Sequence, residues 1–95
     1  MRKSDIRVRS FVRASADDVR TGLLGYVSAS YGTLLLDGIT VRRTGDGRIV
    51  LSFPARTDGA GRRHPIVRPI DEEARQQIER EILKALGPRL AEIVG

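Results

Sequence analysis

The stretch Thr33–Phe53, TLLLDGITVRRTGDGRIVLSF, decides the fold, because two β-rich segments are joined in it by a glycine-rich turn. Gly45 and Gly47 flank Asp46 and supply the positive φ values that tight hairpin turns need. The pattern therefore predicts two neighbouring antiparallel strands. Within the first segment, Asp37-Gly38 is either a second tight turn or a bulge in one long strand, and the residues alone leave both alternatives open.

Two further strands are predicted upstream of this hairpin. In DIRVRSFVR, residues 5–13, the side chains of Ile6, Val8 and Val12 fall on one face, while Phe11 and the arginines fall on the other. This alternation is typical of a half-buried strand. A polar, irregular connection follows, and then LLGYVSASY predicts a second strand with Leu24, Tyr26 or Val27 available for a core face.

Downstream of the hairpin, Pro54 ends the fourth strand and TDGAG forms another glycine-rich turn. The next segment, RRHPIVRPI, reads as extended chain in which Pro65 and Pro69 each lack a ladder donor. We expect this last strand at an edge of the sheet, where its arginines would also discourage unwanted pairing.

From Asp71 the periodicity becomes helical, with Asp71 as the N-cap and two glutamates where the helix dipole favours anions. The apolar stripe expected to cover the sheet consists of Ala74, Ile78, Ile82, Ala85 and Leu86. Gly87-Pro88 is expected to interrupt this helix, leaving a final short helical turn. The sequence thus predicts an α+β fold in two layers, with a small antiparallel β-sheet of four to five strands followed by a C-terminal α-helix, and residues 1–95 as a single domain.

The charge balance points to an anionic partner. The chain has 17 Lys and Arg against 12 Asp and Glu, a formal charge of +5, and only Lys3 and Lys84 are lysines. Guanidinium groups donate two parallel hydrogen bonds to phosphate, so nucleic acid is the first partner to consider. The alternative is that the arginines reflect a GC-rich coding genome and merely solvate the surface.

Several classes of function lack support in the sequence. There is no cysteine, and the one histidine, His64, lies between Arg63 and Pro65 without a nucleophile in the pattern. No metal-ligand spacing or phosphate-cradling loop is present, so we expect no enzyme, no metal, no cofactor and no small-molecule substrate. The absence of a long apolar run or signal-peptide pattern predicts a cytoplasmic protein without a membrane association.

The basic residues cluster along the second half of the chain. The candidate nucleic-acid-binding residues are Arg56, Arg62, Arg63 and Arg68 on the loop and last strand, and Arg75, Arg80 and Lys84 on the helix. The functional interpretation is a phosphate-facing surface made by loop, strand and helix. In the competing interpretation, Arg75 and Glu79 form a weak surface pair, and the other charges only keep the domain soluble or guard a sheet edge.

The order of four short pieces resembles the stage V sporulation protein G (SpoVG) family of bacterial regulators. The pieces are DIRVR, LLLDGITVRRTGDGRIVLSFPAR, TDGAGRRHPIVRPID and ARQQIEREIL, which together span nearly the whole chain. The resemblance implies a sheet-mediated homodimer that binds DNA and RNA and influences septation, sporulation and gene expression. It also favours a continuous strand through Asp37-Gly38, and it places Arg56 and Arg75 at basic positions of the family.

The chain departs from the family pattern at Gln77, where a lysine is usual, at Arg68, which replaces a histidine, and after Gly87. Arg80 and Lys84 would restore the charge lost at Gln77. Two functions therefore compete: a nucleic-acid-binding regulator and a protein-interaction module in cell-division control that uses apolar residues such as Leu83.

Overall fold

A computed structural model describes residues 5–94 of the chain, which fold into eight elements. In chain order these are β1 (Ile6–Arg13), α1 (Ala16–Arg20), β2 (Leu23–Tyr31), β3 (Leu34–Arg43), β4 (Ile49–Ser52), β5 (Ala55–Thr57), β6 (Arg63–Pro65) and α2 (Glu72–Val94). Strands β1 to β4 form an antiparallel sheet in the order β1-β2-β3-β4, while β5 and β6 form a separate two-stranded sheet. The predicted α+β fold, an antiparallel sheet followed by a C-terminal helix, is confirmed.

The core lies between one face of the four-stranded sheet and α2. Its fully buried side chains include Leu24 and Val27 from β2, Ile39 from β3, and Ile82 and Leu86 from the helix. Burying each such side chain stabilises the fold by about 1.5–3 kcal/mol. Because α2 covers only this face, the opposite face of the sheet, called here the outer face, has no helix packed on it.

A bulge in β1 reverses the faces that its alternation predicts. The pairing steps from Val8↔Ala29 to Ser10↔Ser28, so that Arg9 is an extra residue on β1. Beyond it, Phe11 packs against the core, whereas Val12 is 61% exposed on the outer face. The prediction that Val12 points inward and Phe11 outward is therefore wrong. One inserted residue moves every later side chain of the strand to the opposite face of the sheet.

The Asp37-Gly38 ambiguity resolves in favour of one continuous strand. Leu36 pairs with Ala29 and Ile39 pairs with Val27, so β3 carries one residue more than β2 over this interval. Gly38 adopts φ 83°, a value that suits glycine and lets the strand absorb the extra residue. The irregular continuous strand implied by the family resemblance is thus confirmed.

The turns between strands follow the glycines. The predicted β3–β4 hairpin is confirmed, and of its two turn glycines only Gly47 adopts a positive φ, 87°. Sequence reasoning did not identify the β2–β3 hairpin, in which Gly32 has φ 59° and Thr33 completes a two-residue turn. A Tyr-Gly-Thr-Leu step between two strand patterns is the signal that would have revealed it.

The connection between β1 and β2 contains a short helix where an irregular loop was expected. Ser15 caps α1, since its Oγ accepts a hydrogen bond from the Asp18 amide at 3.2 Å. Asp17 and Asp18 occupy the first turn, where the helix dipole favours negative charge. The paired acids therefore have a structural role in a helix rather than in a loop.

The last strand lies outside the main sheet. We call β5, β6 and their turn, residues 55–65, the ribbon; its register pairs Ala55 with Pro65 and Arg56 with His64. The expectation of a fifth strand at an edge of the main sheet is wrong, because β6 pairs with β5 alone. The Pro54 carbonyl accepts hydrogen bonds from the Ile66 and Val67 amides at 2.9 and 3.3 Å and so closes the open end of the ribbon.

Helix α2 begins as predicted and ends later than predicted. Asp71 caps it, since its Oδ1 accepts from the Ala74 amide at 2.8 Å. The helix then runs through Pro88, although proline removes one internal hydrogen bond. Continuation places Leu90 in the core at 8% exposure, while Ala85, expected in the apolar stripe, is exposed. Within residues 5–94 no helix is both long enough and apolar enough to cross a membrane.

Candidate nucleic-acid interface

Asp58 organises the ribbon through hydrogen bonds at both carboxylate oxygens. Its Oδ1 accepts from the amides of Ala60 and Arg62, each at 2.9 Å, while its Oδ2 lies 2.6 Å from His64 Nε2. These bonds, with that to His64 the largest, lower the pKa of Asp58 below its usual value of 3.8. The same Oδ2 lies 3.7 Å from Arg62 Nε, so this predicted site arginine is engaged by the turn.

The two faces of the ribbon carry different arginines. Arg56 pairs with His64 in the register and shares its face, whereas Arg63 pairs with Thr57 on the opposite face. The Arg63 Nη2 donates to Ser52 Oγ at 3.1 Å and to the Phe53 carbonyl at 3.2 Å. Arg63 therefore leans against the main sheet, while Arg56 is exposed and directed away from it.

A cleft of about 550 Å³ lies between the ribbon and the outer face of the main sheet. The polar side chains along its walls are Thr40, Arg42, Ser52, Thr57 and Arg63, and no carboxylate lines it. Arg42 was not among the predicted site residues. After its bulge, β3 alternates with a period of two residues. This alternation is the signal that would have placed Arg42 beside Thr40 on the outer face.

Arg75 forms ion pairs with Glu72 and Glu79 on the same helix. Its Nε donates to Glu72 Oε1 at 2.9 Å and its Nη1 to Glu79 Oε1 at 2.8 Å, and its Nη2 also contacts Glu72. Hydrogen bonding to Glu72 is the largest cause of a raised Arg75 pKa, and Arg75 in turn lowers the pKa of Glu72. The predicted Arg75–Glu79 pair exists, with Glu72 as an additional partner.

Glu79 continues this network to the sheet. Its Oε2 accepts a hydrogen bond from the Leu51 backbone amide at 3.2 Å, so a chain of contacts links Arg75 through Glu79 to strand β4. Arg75 is half-buried on the side of α2 that faces the sheet. Its position thus gives it a structural role, whatever contact it also makes with a partner.

The remaining predicted residues are exposed. Arg68 lies between β6 and α2 with no carboxylate within ion-pair distance in the described chain, and the same holds for Lys84 on α2. Arg80 and Lys84 lie four residues apart on the side of the helix away from the core. The structure thus divides the predicted surface between the ribbon region and the far side of the helix.

Metal-ligating side chains do not gather anywhere in residues 5–94: no three His, Asp or Glu groups come together. Comparison of the chain with protein-family models, with curated proteins and with solved structures gave no match.

Proposed function

We propose that the chain is a bacterial nucleic-acid-binding regulator, acting in the cytoplasm as a homodimer, of the kind that its resemblance to the SpoVG family implies. Its role would be binding without a catalytic step, with effects on gene expression and on septation or sporulation. The partner would be DNA, RNA or both.

The observation that carries the proposal is uncompensated positive charge around the ribbon. Arg42, Arg56, Arg63 and Arg68 form no ion pair within residues 5–94. The nearest acid on the ribbon, Asp58, already accepts hydrogen bonds from its own turn. Guanidinium groups without a carboxylate partner bind phosphate oxygens by charge-assisted, often bidentate hydrogen bonds.

A homodimer is supported by apolar residues at the β2–β3 end of the sheet. Leu34 and Leu35 are 63% and 57% exposed, and Tyr31 beside them is 51% exposed. Leu35 lies on the outer face opposite Ser30, whereas Leu34 pairs with Tyr31 on the other face. A second copy placed over this end would remove apolar surface from water without covering the ribbon.

The decisive experiment is fluorescence anisotropy with labelled DNA and RNA oligonucleotides at stated salt. We expect the double variant Arg56→Ala/Arg68→Ala to bind at least about tenfold more weakly, since each charge-assisted hydrogen bond contributes about 1.5–3 kcal/mol. The matched control is Arg20→Ala/Arg89→Ala, which lowers the net charge by the same amount away from the ribbon. Equal affinities for the two double variants would contradict this site.

Salt dependence supplies a second readout of the same binding. If about four phosphates are neutralised by each protomer, the logarithm of affinity falls with the logarithm of salt concentration at a slope of about −0.9 per contact on duplex DNA and about −0.7 on single strands. Loss of Arg56 and Arg68 should make the slope shallower by about two contacts, while the Arg20/Arg89 control keeps it.

A protein-interaction module is the second candidate, favoured by one observation. Ile70 is 92% exposed and Ile66 is 63% exposed on the segment that joins the ribbon to α2. Leu83, which we expected to serve a partner, is half-buried and packs against the core. Pull-down from nuclease-treated lysate separates the candidates. A complex with a protein partner at Ile70 persists after nuclease treatment and at moderate salt, whereas a complex held by phosphate contacts dissociates.

A further inference from the structure

The cleft between the ribbon and the outer face is lined by two arginines, Arg42 and Arg63. Its volume is about 550 Å³, within the range of about 300–1,000 Å³ found for small-ligand pockets. This volume is larger than one phosphate group needs. Arg42 enters from β3 and Arg63 from β6, so the two guanidinium groups come from different sheets. No carboxylate lines the cleft to neutralise them.

Hydrogen-bond donors remain available in the cleft after the protein's own contacts are made. Arg63 uses Nη2 on Ser52 Oγ and the Phe53 carbonyl, which leaves its Nε and Nη1 hydrogens. Ser52 accepts from Arg63 through its oxygen, so its own hydroxyl hydrogen is free to donate. The Arg42 guanidinium has no hydrogen-bond or ion-pair partner among residues 5–94.

The two acids closest along the chain to the cleft residues are engaged elsewhere. Asp37, next to the cleft residue Gly38, accepts the hydroxyl of Ser28 at 2.5 Å. Asp58, next to Thr57, holds the ribbon turn and His64. Both acids keep their negative charge, but neither lines the cleft and neither forms an ion pair with Arg42 or Arg63.

An exposed aromatic ring adjoins this cleft. The register aligns Val12, Tyr26, Thr40 and Ser52 in one row across all four strands, on the outer face. Tyr26 is 43% exposed and lies directly beside Thr40, a cleft residue. Arg42 is two residues beyond Thr40 on β3 and is therefore a diagonal neighbour of Tyr26, at about 7–8 Å, which is within reach of aromatic and long side chains.

From this juxtaposition we infer that the cleft and Tyr26 together bind one nucleotide unit of a single-stranded nucleic acid. The phosphate lies between Arg42 and Arg63, and the adjoining base stacks on the Tyr26 ring. Stacking on an aromatic side chain requires a free base face, which a single strand offers and a duplex keeps within its own stack. The inference rests on the proposed function and deepens it by naming the strandedness of the ligand.

The test uses the whole chain and fluorescein-labelled oligothymidine of about 20 nucleotides, single-stranded or paired with oligoadenine. We expect Arg42→Gln to weaken single-strand binding about tenfold, because it removes a charge-assisted contact. Tyr26→Ala should weaken it about fivefold or more, and Tyr26→Phe, which keeps the ring, should bind like the wild type. Arg89→Gln, which removes one exposed charge on α2, is the matched control, and far-UV circular dichroism verifies that each variant is folded.

The outcomes separate this inference from the proposed function. If the wild type binds neither strand form, the proposed function and the inference both fail. If it binds but Arg42→Gln and Tyr26→Ala behave like Arg89→Gln, the cleft inference alone is overturned. Tyr26→Ala weakening duplex and single strand equally would overturn the stacking role. If thymidine monophosphate displaces the oligonucleotide at a concentration comparable to that of the oligonucleotide, the cleft binds free nucleotides. That result would overturn the inference that a nucleic acid occupies it.

Discussion

Gly25 on β2 lies beneath the ring of Phe11, and the packing of β1 on β2 depends on its missing side chain. A Cβ built at Gly25 would lie 2.5 Å from Phe11 Cε1 and 2.7 Å from the Val12 carbonyl oxygen. Real Cβ contacts are not that short, so either the ring or the backbone of β1 would have to move. Gly25 thus permits the inward position of Phe11 that the Arg9 bulge creates.

We predict that Gly25→Ala destabilises the domain by about 1–3 kcal/mol, the usual cost of overpacking a well-filled site. The midpoint and slope of urea unfolding measure the change. The control is Gly59→Ala, because a Cβ at Gly59 meets nothing within 4 Å and its φ is not positive. A Gly25→Ala variant as stable as the control would show that Phe11 does not occupy this position in solution.

Tyr26 shows where sequence reasoning at single positions fails. Leu24, Tyr26 and Val27 all qualified for the core face, and the structure buries Leu24 and Val27 while leaving Tyr26 exposed. The register shift between Leu23 and Gly25 explains the odd spacing of the two buried residues. Bulges depend on the partner strand, so a single strand's pattern does not reveal them.

At the scale of elements, the ribbon is held together by one ionised group, the carboxylate of Asp58. Asp58 accepts two backbone hydrogen bonds in the turn and contacts His64 on β6. Because the folded ribbon stabilises the carboxylate, the pKa of Asp58 is lowered. Its contribution to ribbon stability is therefore complete above the usual value of 3.8 and is lost as the pH falls through the lower, folded value.

We predict that the ribbon turn stays ordered from neutral pH to about pH 4 and loosens below it. Amide chemical shifts of Ala60 and Arg62, followed by NMR during an acid titration, report this change directly. Asp58→Asn is the control, since it keeps the shape of the side chain and cannot titrate. Titration curves that are the same in the wild type and in Asp58→Asn would rule out this role of the carboxylate.

The main elements follow from local patterns, and the ribbon does not. The alternation around Gly45 and Gly47 and the cap at Asp71 predict β3, β4 and the start of α2, because each signal acts within a few residues. Whether β6 joins the main sheet or pairs only with β5 depends on long-range geometry, which a linear pattern does not contain. The candidate site was predictable as a basic cluster, and so was the local Arg75–Glu79 pair. The position of Arg42 at the cleft was not, because it depends on neighbours distant in sequence.

At the scale of the whole molecule, the outer face has two regions with different chemistry. Its β2–β3 end carries Leu35, and its other end carries Thr40 and Arg42 at the cleft. The cleft residue closest to Leu35 along β3 is Gly38, three residues away, or roughly 10 Å at about 3.3 Å per residue. Subunit contact and phosphate contact would therefore be neighbours on the same face, with Arg42 further along β3 than Gly38.

We predict that the wild type is a dimer and that Leu35→Glu converts it to a folded monomer, because a buried unpaired carboxylate opposes association. Light scattering coupled to size-exclusion chromatography measures the mass of each protein. Ile70→Glu is the control: it changes an even more exposed apolar residue, outside the β2–β3 end, and should stay dimeric. A monomeric wild type, or an unchanged mass for Leu35→Glu, would contradict this interface.

The ribbon has no core of its own, since none of residues 55–65 is buried. Its order depends on backbone pairing, on Asp58 and on the hydrogen bonds from Arg63 to Ser52 and Phe53. It is therefore the segment expected to open locally while the sheet and α2 stay folded. A ligand held by Arg42 on the sheet and Arg63 on the ribbon would close that local opening. Part of the binding free energy would then be used to order the ribbon, and affinity would depend on how rigid the ribbon already is before the ligand arrives.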